Sequence, residues 1–232
     1  MESHNNKAVV AIVTLVLGLA VGGGVGYAVA NNMEKDDDGQ SMSMSVSEGD
    51  PNAATKAADL RATLVALGVE HMDLTYSAVA STLNATPSAA ADGADLYKNG
   101  TDLGAAVGSI YGEEAETTFN TVWKLHLDQF VAYATAAAGN DEAGKTAALD
   151  KIDAEYTKPL AAYLAKANPN LPEDALYSGL KSHVDMTAVM IDNEAKGDYA
   201  AATKLRDEGA DHLSELFSVL AGGIVKQFPE KF

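Results

Sequence analysis

The chain predicts an all-α bundle of six helices, on three observations. From Ala54 to the C-terminus apolar residues recur at spacings of three and four, the period of amphipathic helices. Breaks fall at regular places: Thr86-Pro87, Gly112, Gly139-Asn140, Asn168-Pro169 and Gly197. No stretch alternates apolar and polar residues as a half-buried strand does. Six helices on short loops imply antiparallel neighbours.

Ahead of the bundle, Ala8 to Ala30 is 23 residues without a charge, enough to cross a hydrocarbon core of about 30 Å as a helix. Lys7 precedes this run and Glu34-Lys35-Asp36-Asp37-Asp38 follows it, so the positive-inside rule leaves the N-terminus cytoplasmic and the rest outside. The expectation is a single-pass cell-membrane protein, or a secreted one if a signal peptidase cuts at Ala28-Val29-Ala30. Gly18, Gly22 and Gly26 are spaced to let two such helices approach, which leaves a homo-oligomer open. Residues 1–30 are therefore read as anchor or signal segment. Residues 31–53, acidic and rich in Ser and Met, read as a disordered linker. Met33, Met42 and Met44 could offer thioethers to Cu(I) there, or be plain linker residues.

The helical-bundle domain spans 54–232. The first helix runs to about Leu83 and stops near Pro87. The second, from about Ala89, carries Leu96, Leu103, Val107 and Ile110 and stops at Gly112. The third opens on Glu113, Glu114 and Glu116, which suit the positive end of the helix dipole, and runs to Gly139. The fourth spans Glu142 to Ala167 with a kink expected at Pro159. The fifth starts at Pro172-Glu173-Asp174 and ends at Gly197, and the sixth fills Tyr199 to about Gln227 before Pro229.

Composition narrows function by exclusion. The chain has no cysteine, so disulfides, thiolate metal sites and cysteine nucleophiles are out. A net charge of −17 disfavours nucleic acid, whose phosphates call for Lys and Arg, and favours cationic partners, metal ions among them. No nucleophile elbow, phosphate loop or dinucleotide fingerprint is present, so no enzymatic activity is expected.

The candidate site is a set of histidines where core residues belong. His71 lies on the stripe Leu60, Leu64, Leu67, Leu74, Ala78 of the first helix. His71-Met72-Asp73, His126-Leu127-Asp128 and His183-Val184-Asp185 repeat at separations of 55 and 57 residues, each midway along the first helix of a hairpin. Three tandem helical hairpins are the simplest reading of that internal repeat. The fourth histidine, His212, sits on the stripe Leu205, Glu208, Leu216, Val219. Counted from the turns, His71 is 16 residues before Pro87, His126 is 14 before Asn140, His183 is 14 before Gly197 and His212 is 15 after it. At about 1.5 Å rise per residue those heights agree within about 3 Å, which predicts one four-histidine layer; Leu103 and Tyr156 reach the same level by the same count.

Four imidazoles buried without a ligand would each need a hydrogen-bond partner, and a transition metal ion would remove that requirement. Copper is favoured over zinc or iron because Met72, Met186 and Met190 stand near the histidines, although methionine also fills core gaps. Haem is a third reading, and hydrogen-bonded core histidines with no ligand are the rival. Glu208, one turn from His212, is the candidate carboxylate for orienting an imidazole, or half of a plain salt bridge. Tyr156 could hydrogen-bond into the layer or simply fill space. Trp123, one turn before His126, reads as core. Asp73, Asp128 and Asp185 point about 200° away from their histidines, toward solvent or a neighbouring helix. Ligation by four histidines would leave no open position, as in a structural or storage site.

The segments LRATLVALGVEHMDL, GSIYGEEAETTF, WKLHLDQFVAYAT, LAKANPNLP, HVDM and DHLSELFSVLAGGIVKQFPEKF resemble a family of exported bacterial helical proteins, some carried under a "copper amine oxidase" domain label. The resemblance covers about Leu60 to Phe232, and it implies that His71, His126, His183 and His212 are the family's histidine positions. The chain is far too short for a copper amine oxidase and has no β-rich catalytic domain, so the label implies no oxidase activity. The functional expectation is an extracytoplasmic, membrane-tethered bundle that binds a transition metal for sequestration or delivery. The alternative is a non-catalytic cell-surface scaffold or interaction module.

Overall fold

The computed structural model describes residues 55–232, which are helical throughout apart from short turns, with no strand among them. The anchor or signal segment and the linker expected before residue 54 lie outside the described residues. Among the described residues no helix is long and apolar enough to cross a membrane.

The helices are α1 (Lys56–Leu83), α2 (Ala89–Tyr111), α3 (Glu113–Ala138), α4 (Glu142–Ile152), α5 (Lys158–Ala167), α6 (Glu173–Lys196) and α7 (Tyr199–Gln227). A π-helical turn, Asp153–Thr157, carries α4 into α5, so the rods number six. Local chemistry sets their ends. The side chains of Thr55, Asp141 and Asp198 accept from the amides of Ala58, Gly144 and Ala201, three residues on, and so satisfy N–H groups that a helix start leaves without partners. Gly112 closes α2 at φ 94° and Gly197 closes α6 at φ 80°, a left-handed backbone that side chains disfavour.

The kink expected at Pro159 takes another form. Proline has no N–H to return to the carbonyl of residue 155, and the helix widens one turn earlier, where the amide of Lys158 reaches back five residues to Asp153. Such an inserted residue rotates what precedes it. The turn holds Tyr156 and Thr157, both fully buried.

Consecutive rods pack against each other, and α7 closes the ring by packing along α1. The contacts across the ring belong to α1, α3 and α6, which also touch one another. Those three helices form an inner trio. The rods α2, α4–α5 and α7 sit outside, each wedged between two inner helices. Close approach is possible where a glycine receives a bulky neighbour. The indole of Trp123 lies over Gly100, where an added Cβ would stand 2.6 Å from it, and the ring of Phe217 lies over Gly68 at 2.3 Å from an added Cβ.

Candidate metal centre

Each inner helix delivers one histidine to the axis of the bundle. His71 on α1, His126 on α3 and His183 on α6 are 1%, 0% and 2% exposed. One ring nitrogen from each lies within 4.8 Å of the other two. Ring centroids are 5.8 Å apart for His71 and His126 and 5.7 Å for His71 and His183. An ion bound at about 2.0–2.1 Å needs nitrogens about 3.3 Å apart in a tetrahedral set, so the rings would close by an ångström or so, within the reach of small side-chain rotations.

Burial decides the protonation of the cluster. Desolvation holds His71 down to about 4, partly offset by its bond to Asn99. Desolvation, reinforced by His71 and His212, holds His183 down to about 3. His126 lies well below the ordinary imidazole range, from desolvation first and then from His71 and His183. The Trp123 backbone carbonyl opposes that shift only weakly and makes no hydrogen bond to the ring. All three rings are neutral at pH 7, the form in which imidazole offers a lone pair to a metal.

Asn99, on α2, fixes one tautomer. Its amide nitrogen donates to the Leu67 carbonyl and to Glu70 Oε2, each at 3.0 Å. That leaves its Oδ1 to accept from His71 Nδ1 at 3.2 Å. The neutral His71 ring therefore carries its proton on Nδ1 and presents a bare Nε2, an arrangement common among metal-bound histidines. The other two rings are underpartnered: both nitrogens of His126 and Nδ1 of His183 are buried without a hydrogen bond. Leaving such atoms unpaired costs about 1–3 kcal/mol each, and native cores hold few of them.

Aromatic rings wall one side. Tyr156 stacks on His126 with centroids 4.2 Å apart and planes 22° from parallel. Trp123 meets His126 and His71 edge-on at 4.7 and 4.9 Å. The phenol of Tyr156 is pushed upward in pKa by burial alone, so it stays protonated. Two apolar cavities flank the layer, one of about 60 Å³ lined by all three histidines and one of about 70 Å³ lined by His183, Tyr156 and Trp123.

Three of the four expected histidines come together, and His212 does not join them. It lies half-buried on the outer helix α7, where its Nε2–H donates to the Gly179 carbonyl at 2.8 Å. Glu208, read either as orienting His212 or as half of a salt bridge, takes the second role and pairs with Lys204 on the exposed face of α7. Met72 and Met190 are fully buried and Met186 half-buried; the thioether end of Met72 fills the space over Gly209. The aspartates point away, as expected. Asp73 faces Arg206 at 3.7 Å, Asp185 pairs with Lys181, and Asp128 accepts from Lys124 and from the Tyr97 hydroxyl. Sequence reasoning missed Asn99 and the use of Glu70 to orient it. The available signal was an asparagine between Leu96 and Leu103 on an apolar stripe.

Comparison with protein-family models, with curated proteins and with solved structures finds no match in any of the three.

Proposed function

We propose that His71, His126 and His183 bind one transition metal ion, copper before zinc or iron, and that the protein sequesters or delivers it. The observation that carries this reading is the meeting of three neutral, buried imidazoles from three helices, with one nitrogen of each within 4.8 Å of the others, and with both nitrogens of His126 and Nδ1 of His183 buried without a protein partner. The rival, a scaffold with structural histidines, would leave all of those atoms unsatisfied, whereas a bound ion takes up one nitrogen of each ring. Among the described residues no carboxylate joins the cluster. A dication would then carry its full charge into apolar surroundings, where the cost grows as the square of the charge. Cu(I) leaves only one positive charge, and three imidazoles suit it. Haem, the third reading, would have to force the helices apart, because the flanking cavities hold about 60 and 70 Å³ against the several hundred that larger ligands fill.

Two wider readings accompany this one. The three histidines at matching places on the first helix of each hairpin support duplication of a helical hairpin. The uncharged run at residues 8–30 supports a bundle tethered on the outer side of a membrane. The deciding experiment is elemental analysis of protein purified without chelators, followed by melting with and without one equivalent of Cu(I), Cu(II) or Zn(II). One bound ion per chain with a raised midpoint is expected. No bound metal and no shift would return the protein to the scaffold reading.

A further inference from the structure

With three histidines rather than four, a bound ion keeps a coordination position free, and the geometry around the rings says what could reach it. The cavity of about 60 Å³ touches all three histidines, so it borders the cluster that would hold the ion. Its walls are apolar: Ala78 and Val79 from α1, Leu96 from α2, Phe130 and Ala134 from α3. Two of its threonines are turned away. Thr75 donates its hydroxyl to the His71 carbonyl at 2.7 Å, and Thr187 does the same to His183 at 2.9 Å. Both spend their only proton on their own helix. Tyr97 also lines the space, but its hydroxyl donates to Asp128 at 2.7 Å. Thr82 is the remaining hydroxyl on the lining, and a space whose walls are mainly apolar holds water poorly.

We propose that the ion bound by His71, His126 and His183 takes an uncharged diatomic molecule as its exogenous ligand, seated in this cavity. The proposal rests on the metal-binding reading above and adds to it an open position and a ligand class. Coordination requires no redox step. A lone pair of the diatomic forms the fourth bond to Cu(I), nothing leaves the metal, and the oxidation state is unchanged. Size and polarity select together: a space of this volume accommodates two or three heavy atoms and excludes the substrates of ordinary hydrolytic sites.

The test uses carbon monoxide as probe on the protein loaded anaerobically with one equivalent of Cu(I). A single narrow C–O stretching band in the infrared is expected, at a stoichiometry of one per copper. Xenon under pressure, which needs no substitution, should compete and weaken the band. Ala134→Leu and Ala78→Leu fill the cavity from two different helices; each should lower carbon monoxide affinity at least tenfold while copper stoichiometry and helical circular dichroism stay unchanged. Copper bound at one per chain with no carbon monoxide band would overturn the open position and leave the metal reading intact. A band indifferent to xenon and to both fillings would overturn the cavity as its seat. Failure to bind copper at all would sink the metal reading, and this one with it.

Discussion

His126 lies face to face with Tyr156, centroids 4.2 Å apart and planes 22° from parallel, and both are fully buried. The phenol ring comes from the π-helical turn between α4 and α5, so that irregular turn positions the stacking partner of a histidine on α3. Tyr156→Ala should cost about 3–5 kcal/mol, the range for losing a buried aromatic ring. Tyr156→Phe keeps the stack, and its hydroxyl has no hydrogen bond to lose, so it should cost under about 1 kcal/mol. Urea unfolding of the two variants measures both, and a large loss in the phenylalanine variant would show that the hydroxyl holds the layer.

Trp123 is the chain's one tryptophan, and its ring centroid lies 4.7 Å from that of His126 and 4.9 Å from that of His71. A paramagnetic ion at the cluster would sit close enough to the indole to quench it. Cu(II) should quench its fluorescence with an end point at one equivalent, and His126→Gln should abolish that quenching. Quenching that survives in the variant would place the ion elsewhere.

The number of ligands is open to direct count. His71→Ala, His126→Ala and His183→Ala should each weaken metal binding at least a hundredfold, measured by competition with a chromophoric chelator. His212→Ala should change it by less than about threefold, because Nε2 of that ring already donates to the Gly179 carbonyl. Equal losses from all four would restore the four-histidine layer.

Asn99→Ala removes the acceptor that sets the His71 tautomer. Loss of such an orienting partner typically costs 10–100-fold in metal affinity, and an unpartnered buried Nδ1–H adds about 1–3 kcal/mol of destabilisation. Asn99→Asp keeps an acceptor for His71 and should retain more of the affinity than alanine does. If the two variants bind metal equally well, Asn99 plays no part in orienting the ring.

Acid should unfold the metal-free protein early. His71 and His183 titrate at about 4 and about 3 when folded, against 6.5 in the unfolded chain. Between those limits the unfolded chain binds more protons, so stability falls as pH drops below about 6.5 and is unaffected by these groups above it. His71 alone contributes on the order of 3 kcal/mol to that loss. Asp153, held low chiefly by Lys158, acts in the same direction only below its ordinary 3.8. Denaturant midpoints at pH 7, 5.5 and 4.5 read the slope; a flat line would contradict three buried neutral imidazoles. One equivalent of bound metal should move the acid transition to lower pH, because protons and ion compete for the same nitrogens.

The helices and their ends were legible residue by residue because they depend on neighbours in the chain. Gly112 and Gly197 stop helices through their own backbone, and the acidic first turns at Glu113 and at Glu173-Asp174 mark two of the starts. The inward side of His71, His126 and His183 was legible as well, since a stripe of apolar residues four and three apart marks the buried face of any helix. Asn99 was less so: an asparagine in a stripe reads as an imperfection until the partner it faces is known.

Counting residues from the turns fixes height along a rod, and by that measure all four histidines are equivalent. It says nothing of which rods meet at the centre. Only the tertiary structure decided that α1, α3 and α6 form the inner trio while α7 lies outside against α1 and α6, which carries His212 away from the axis at the correct height. The physical reason is that rise per residue is a property of one helix, whereas place in the bundle is settled by packing among all six.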